Sequence, residues 1–206
     1  MNTHLGVSKT NNEYHEPETV RPALLLHSCC GPCSTAVVER LCVRFVITIY
    51  FCNSNIDDES EYNKRLETQR LFVDTWNASD HEGGPLGLVV AQYLPAAFLE
   101  NVKGHEEKKE GGARCRICIG DRLDKTAAYA AMNGFEYFTT TLSVSPHKDF
   151  GMIKDLGNAL ALRYHVNFLA EDFKKQNGFG RSCELARVYD LYRQSYCGCS
   201  FSKDIL

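Results

Sequence analysis

Residues 23–51 read ALLLHSCCGPCSTAVVERLCVRFVITIYF, and this stretch decides the fold. Ala23 to His27 is a short apolar run without alternation, as expected of a strand buried on both faces. Pro32 suits the first turn of a helix running to about Leu41, because its ring presets φ and its missing N–H is not needed there. Phe45 to Phe51 is dense in β-branched and aromatic residues and reads as a second strand. Strand, helix and strand in such quick succession make a βαβ unit.

The alternation continues downstream. Glu59 to Trp76 carries Tyr62, Leu66, Val73 and Trp76 near one helical face. Leu86 to Tyr93 is a strand, and a short helix follows Pro95. Gly104 to Ala113 is a charged, glycine-bearing loop. A helix from about Cys115 to Met132 stops at Asn133-Gly134. Tyr137 to Leu142 is a strand, Asp149 to Tyr164 a helix, Val166 to Leu169 a short strand. Lys174 to Gly180 is a loop, and Arg181 to Gln194 a helix. The pattern predicts an α/β protein with a mainly parallel, Rossmann-like (HUP/PP-loop-like) sheet and helices on both faces. It predicts one domain over residues 21–206, preceded by a polar, flexible leader over residues 1–20. Ligands of such sheets bind beyond the carboxyl ends of the strands, so the strand-to-helix loops are where chemistry is expected.

The chain has 206 residues, 44% hydrophobic and 24% charged, which excludes a wholly disordered polymer. Its longest apolar run, Phe45 to Cys52, is too short to cross a bilayer, and no secretory signal precedes Pro22, so a cytoplasmic protein without a membrane partner is expected. The net charge of −3 argues against a generally basic nucleic-acid binder. The charge is uneven: residues 1–102 carry net −6 and residues 103–206 net +3, which permits a local basic face in the second half.

Ten cysteines are too many for a reduced compartment unless metal or redox chemistry uses them. Cys42 and Cys52 sit in apolar stretches and read as small core residues. Seven others fall into three tight groups: Cys29, Cys30 and Cys33; Cys115 and Cys118; Cys197 and Cys199. A helix start beside the first group favours thiolate. C-x-x-C spacing in the second lets two sulfurs converge on one centre. Gly198 relieves the backbone where two sulfurs must turn inward. One tetrahedral zinc or one [4Fe–4S] cluster takes four thiolates, so seven imply a second metal or a reactive thiol beside the first centre. Two other readings stand: a thiol–disulfide oxidoreductase using Cys30-Gly31-Pro32-Cys33, and a structural zinc module that contacts RNA.

The sequence resembles the QueH family of epoxyqueuosine reductases, which do not use cobalamin. The matching stretches are Leu24 to Leu41, Asn53-Ser54-Asn55-Ile56 with Glu61-Tyr62 and Arg65, and Gly111 to Cys115 with Cys118. They continue with Tyr137 to Lys148, Asp172 to Ser182 and Leu191 to Ser202. The resemblance implies a [4Fe–4S] cluster with an additional mononuclear iron. It also implies removal of the epoxide oxygen from epoxyqueuosine at the tRNA wobble position, with an external electron donor. All seven grouped cysteines match the family's pattern; Cys183 does not. Residues 77–97 and the leader depart from it.

Such a reaction needs protons, and His147, Asp149 and Asp172 are the candidate donors. Asn53 and Asn55 follow the second strand and are placed to contact substrate or to shape a turn. Lys148, Lys174, Lys175, Arg181 and Arg193 are candidates for tRNA phosphates. Tyr164, Phe173, Phe179 and Tyr196 are interspersed with them, and one of these rings is expected to stack on an extruded base.

Overall fold

The computed structural model describes residues 20–205, and the expected leader over residues 1–20 falls almost wholly outside them. The elements in chain order are β1 (Ala23–Ser28), α1 (Gly31–Leu41), β2 (Val46–Phe51), α2 (Glu59–Asn77), β3 (Gly87–Val90), α3 (Pro95–Asn101) and α4 (Ala113–Met132). They continue with β4 (Tyr137–Thr140), a 3-10 turn (Thr141–Val144), α5 (Phe150–Tyr164), β5 (Asn167–Phe168), α6 (Gly178–Val188) and a terminal 3-10 turn (Ser200–Ile205).

The five strands form one parallel sheet in the order β3-β2-β1-β4-β5. Leu25 of β1 stands opposite Thr48 of β2 on one side and Phe138 of β4 on the other. Alternate residues of β1 therefore serve opposite faces. Leu24 and Leu26 pack among Val37 and Val38 of α1, Phe72, Val73 and Trp76 of α2 and Ala186 of α6. Leu25 packs among Ala127 and Ala130 of α4. Burial on both faces explains why β1 shows no polar alternation. Cys42 and Cys52 lie in these two cores, 8% and 1% exposed. The order of strands reverses between β1 and β4, and the crevice at that reversal is the expected binding place.

The last helix differs from expectation. It begins at Gly178 rather than Arg181 and ends at Val188 rather than Gln194. Asp190 takes a left-handed φ of 50°, the Asp190 N–H bonds the Arg187 carbonyl, and the Leu191 N–H bonds the Ala186 carbonyl at 2.8 Å. That is a Schellman closure with aspartate where glycine usually signals the stop. Buried Leu191 anchors it. The chain from Arg193 to Cys199 is consequently irregular and folds back over the carboxyl end of the sheet.

Candidate metal centre

α1 starts directly behind β1. Cys30 occupies its N-cap and Pro32 its first turn. Gly31 is required because a Cβ there would stand 2.9 Å from the Thr68 carbonyl oxygen of α2. Buried side chains brace the loop. The Ser28 and Ser34 hydroxyls donate to Gln69 Oε1 at 2.6 and 2.9 Å, and Asn53 Nδ2 donates to the Ser28 carbonyl at 2.8 Å. His27 lies underneath, between Thr140 Oγ1 (2.8 Å) and the Cys52 carbonyl (3.2 Å). Burial, reinforced by the Arg122 guanidinium, pulls its pKa down to about 3, so the ring is neutral.

This frame brings the sulfurs of Cys29, Cys30 and Cys33 within 4.8 Å of one another. Cys29 and Cys30 Sγ are 3.9 Å apart. A tetrahedral centre with metal–sulfur bonds of about 2.3 Å holds its sulfurs about 3.8 Å apart, so this triad has the spacing for one ion. Hydrogen bonds from the Cys30 and Cys33 thiols hold Cys29 well below the usual thiol range. The bond with Cys29, with burial, pushes Cys30 up to about 12. A dithiol oxidoreductase uses only the two thiols of its C-x-x-C pair, and here Cys29 stands against that pair as a third sulfur.

Cys29 and Cys33 open onto a cavity of about 420 Å³. Cys197 forms part of the same wall and also borders a small adjoining pocket lined by Cys115, Cys118 and Cys199. All seven grouped cysteines therefore meet at the carboxyl edge of the sheet, brought there by β1–α1, α4 and the C-terminal segment. Arg122 and Lys148 border both spaces, and Arg114 borders the smaller one. Each is no more than 8% exposed, so positive charge is buried beside the thiols. Burial alone would lower the Lys148 pKa, but Cys197 and Glu110 outweigh it and the ammonium is held well above its ordinary value. Its Nζ donates to Glu110 Oε1 at 2.8 Å.

The C-terminal thiols are fixed by Arg65, which is 1% exposed. Its Nε donates to Glu61 Oε1 at 2.7 Å, its Nη1 to the Cys197 carbonyl and its Nη2 to the Tyr196 carbonyl, both at 3.1 Å. Gly198 has φ +121°, and a Cβ there would lie 2.9 Å from Ile56 Cγ1. Asp57 accepts from the Ser200 N–H and hydroxyl. Gln194 Nε2 donates to Cys30 Sγ at 3.0 Å, tying this segment to the first thiol group.

The other expected site residues separate. His147, Lys148 and Arg193 line the cavity. Asp149 does not: it is the exposed N-cap of α5 and accepts from the Met152 N–H. Asp172 is also off the cavity, its carboxylate engaged by the Lys174 N–H and ammonium. Asn53 and Asn55 are both 3% exposed; Asn53 braces the loop through the Ser28 carbonyl, whereas Asn55 Oδ1 is buried without a hydrogen-bond partner. Lys174 Nζ donates to the Lys148 carbonyl, Lys175 is exposed, and Arg181 is paired with Glu39 and Glu184 on the surface. Arg122, Glu110 and Gln194 were not expected. Arg122 had a signal: with Cys115 and Cys118 it falls at i, i+3 and i+7 on one face of α4. Glu110 and Gln194, in irregular segments, had none.

A parallel α/β sheet with a thiol cluster of metal-binding geometry at its topological switch point defines a class of Rossmann-like metal-binding proteins. Comparison with known proteins narrows the class. The family description "Epoxyqueuosine reductase QueH" matches residues 24–204. Proteins of that name are 45% identical in Streptococcus pyogenes (91% of this chain, 72% of the relative) and 42% identical in Staphylococcus aureus (91% and 78%). A relative of the same name in Thermotoga maritima is 32% identical over 87% of this chain and 89% of its own length. The chain belongs to the QueH family of epoxyqueuosine reductases.

Proposed function

We propose that this protein reduces epoxyqueuosine to queuosine at the wobble position of tRNA, with its seven grouped cysteines holding a [4Fe–4S] cluster and an adjacent iron. The observation that carries the reading is the convergence of three sequence-distant thiol groups on two adjoining pockets that share Cys197, in a chain of this family. The donor set fits. The thiols are soft ligands, more numerous than one four-coordinate centre uses, and buried cations offset their charge. When bound, such a centre supplies single electrons and a Lewis acid for the C–O bond.

The chain's own residues do the rest. Removing the epoxide oxygen as water takes two electrons from an external donor and two protons. The His147 ring is the side chain on the cavity placed to pass a proton, while the Lys148 ammonium, oriented by Glu110, keeps its charge to stabilise the departing oxygen. Arg122 counters negative charge below the substrate. Leu142 and Pro32 give the wall an apolar part that limits water. Arg193 and Lys175 are exposed cations for the tRNA backbone. No helix among the described residues is long and apolar enough to cross a membrane, and a cytoplasmic location accords with a tRNA substrate.

Anaerobic iron–sulfur reconstitution followed by mass analysis of tRNA carrying epoxyqueuosine tests the reading. Brown protein containing iron and acid-labile sulfide, and conversion of the nucleoside to the form lighter by one oxygen, are expected. A colourless zinc protein that resists reconstitution and leaves the tRNA unchanged would sink it.

A further inference from the structure

We propose that Phe179 is the platform on which the modified base stacks after leaving the anticodon loop, with Arg193 passing from that ring to the phosphate of the same nucleotide. The inference rests on the tRNA reading above and deepens it.

The four aromatic rings scattered through the basic half are now in distinct surroundings. Phe173 is 1% exposed, inside the core. Tyr164, at the end of α5, is off the cavity and donates its hydroxyl to Asp124. Tyr196 reaches the cavity, but the Arg65 guanidinium lies 5.2 Å from its ring centroid and the Lys203 ammonium 5.4 Å. Phe179 lines the same cavity as Cys29 and Cys33 and keeps 42% of its surface exposed. Every other phenylalanine among the described residues is buried or half-buried.

A half-exposed aromatic ring at a cavity mouth offers a flat apolar face on which a base can stack. The backbone holds it there. Gln176 and Asn177 are consecutive left-handed residues at φ 56° and 57°, an arrangement that side-chain-bearing residues seldom adopt. The turn they form leads into Gly178, where a Cβ would meet the Phe173 carbonyl oxygen. The Phe179 carbonyl accepts from the Ser182 hydroxyl at 2.7 Å. The ring is thus presented by a strained, braced turn, not left on a loose loop.

Arg193 supplies the second half. Its guanidinium sits 5.8 Å from the Phe179 centroid, it is exposed, and it has no ion pair among the described residues. A planar base competes for the same ring face and offers better overlap, while the displaced guanidinium finds a phosphate oxygen within its reach. The cavity volume of about 420 Å³ is within the range of small-molecule sites, enough for a base whose substituent points inward toward the thiols.

The test is binding and turnover of an anticodon stem–loop carrying epoxyqueuosine, over a series of salt concentrations. Phe179→Ala should weaken binding and raise KM by about tenfold or more, leaving kcat and the salt slope near wild type. Phe179→Trp should restore affinity, whereas Phe179→Leu should not. Arg193→Gln should lower the slope of log affinity against log salt by about one. Affinity within about twofold of wild type for Phe179→Ala, or rescue by leucine as good as by tryptophan, overturns the stacking role while leaving the reductase reading intact. Wild-type protein that neither binds nor converts the stem–loop overturns both.

Discussion

Cys29–Cys33 and Cys197–Cys199 arrive at adjoining pockets by different routes. The first group is placed by regular structure: it sits between a strand paired on both sides and a helix whose first turn contains proline. The second belongs to an irregular segment with no ladder to hold it. Its position depends on two carbonyls bonded by Arg65, one glycine packed against Ile56, and an aspartate at the next residue. Thiols fixed by hydrogen-bonded elements should move only when the domain unfolds. Thiols fixed by a few side chains should be releasable singly.

The largest effect tests whether both groups serve one centre. Cys30→Ala and Cys197→Ala should each strip iron from the reconstituted protein and bring turnover to background. Full iron content and activity in Cys197→Ala would separate the C-terminal segment from the centre and break the comparison at its root.

Arg65→Met comes next. Removing the guanidinium leaves two carbonyls without donors and Glu61 nearly buried with only the Tyr192 hydroxyl and no cation; the side chains are 1% and 11% exposed. Losing one member of such a pair costs about 3 kcal/mol. In metal-free protein, alkylation of Cys197 and Cys199 should accelerate about a hundredfold while Cys33 keeps its wild-type rate. Equal acceleration at all three would show that the two regions open together. Gly198→Ala should act in the same direction by about 1–3 kcal/mol, since the left-handed φ of +121° and the 2.9 Å approach to Ile56 both oppose a side chain.

The same contrast governs what could be read from the amino-acid sequence. The sheet and the first thiol group were legible because apolar runs, Pro32 and Asn133-Gly134 are local signals with local causes. The end of α6 was hidden because Asp190 performs a closure that glycine ordinarily marks. Arg193 and Gln194 were thereby assigned to a helix when they line the cavity. Asp149 carried a legible signal, an aspartate just before an apolar helix, but its value as a cap competes with its value as an acid and only the structure separates the two. Asn53 is similar: the same amide shapes a buried turn or meets a substrate, and the decision lies in Ser28, 25 residues earlier.

The smallest effect sharpens the comparison by holding chemistry constant and changing burial. Arg181 pairs with Glu39 across α6 and α1 much as Arg65 pairs with Glu61, at 2.6 Å, but its side chain is 40% exposed and Glu39's 44%. Water screens such a pair, and Arg181→Gln should cost only about 0.5 kcal/mol in urea unfolding near neutral pH. Hydrogen bonding from Arg181 holds the Glu39 carboxyl below its ordinary 4.5. The pair's contribution is therefore present above 4.5 and is lost as pH falls through the lower folded value. The urea midpoints of wild type and Arg181→Gln should converge in acid. A cost as large as that of Arg65→Met would mean that contact between helices, not removal from water, sets the strength of these arginines. The distinction between the two thiol-bearing regions would then need another cause.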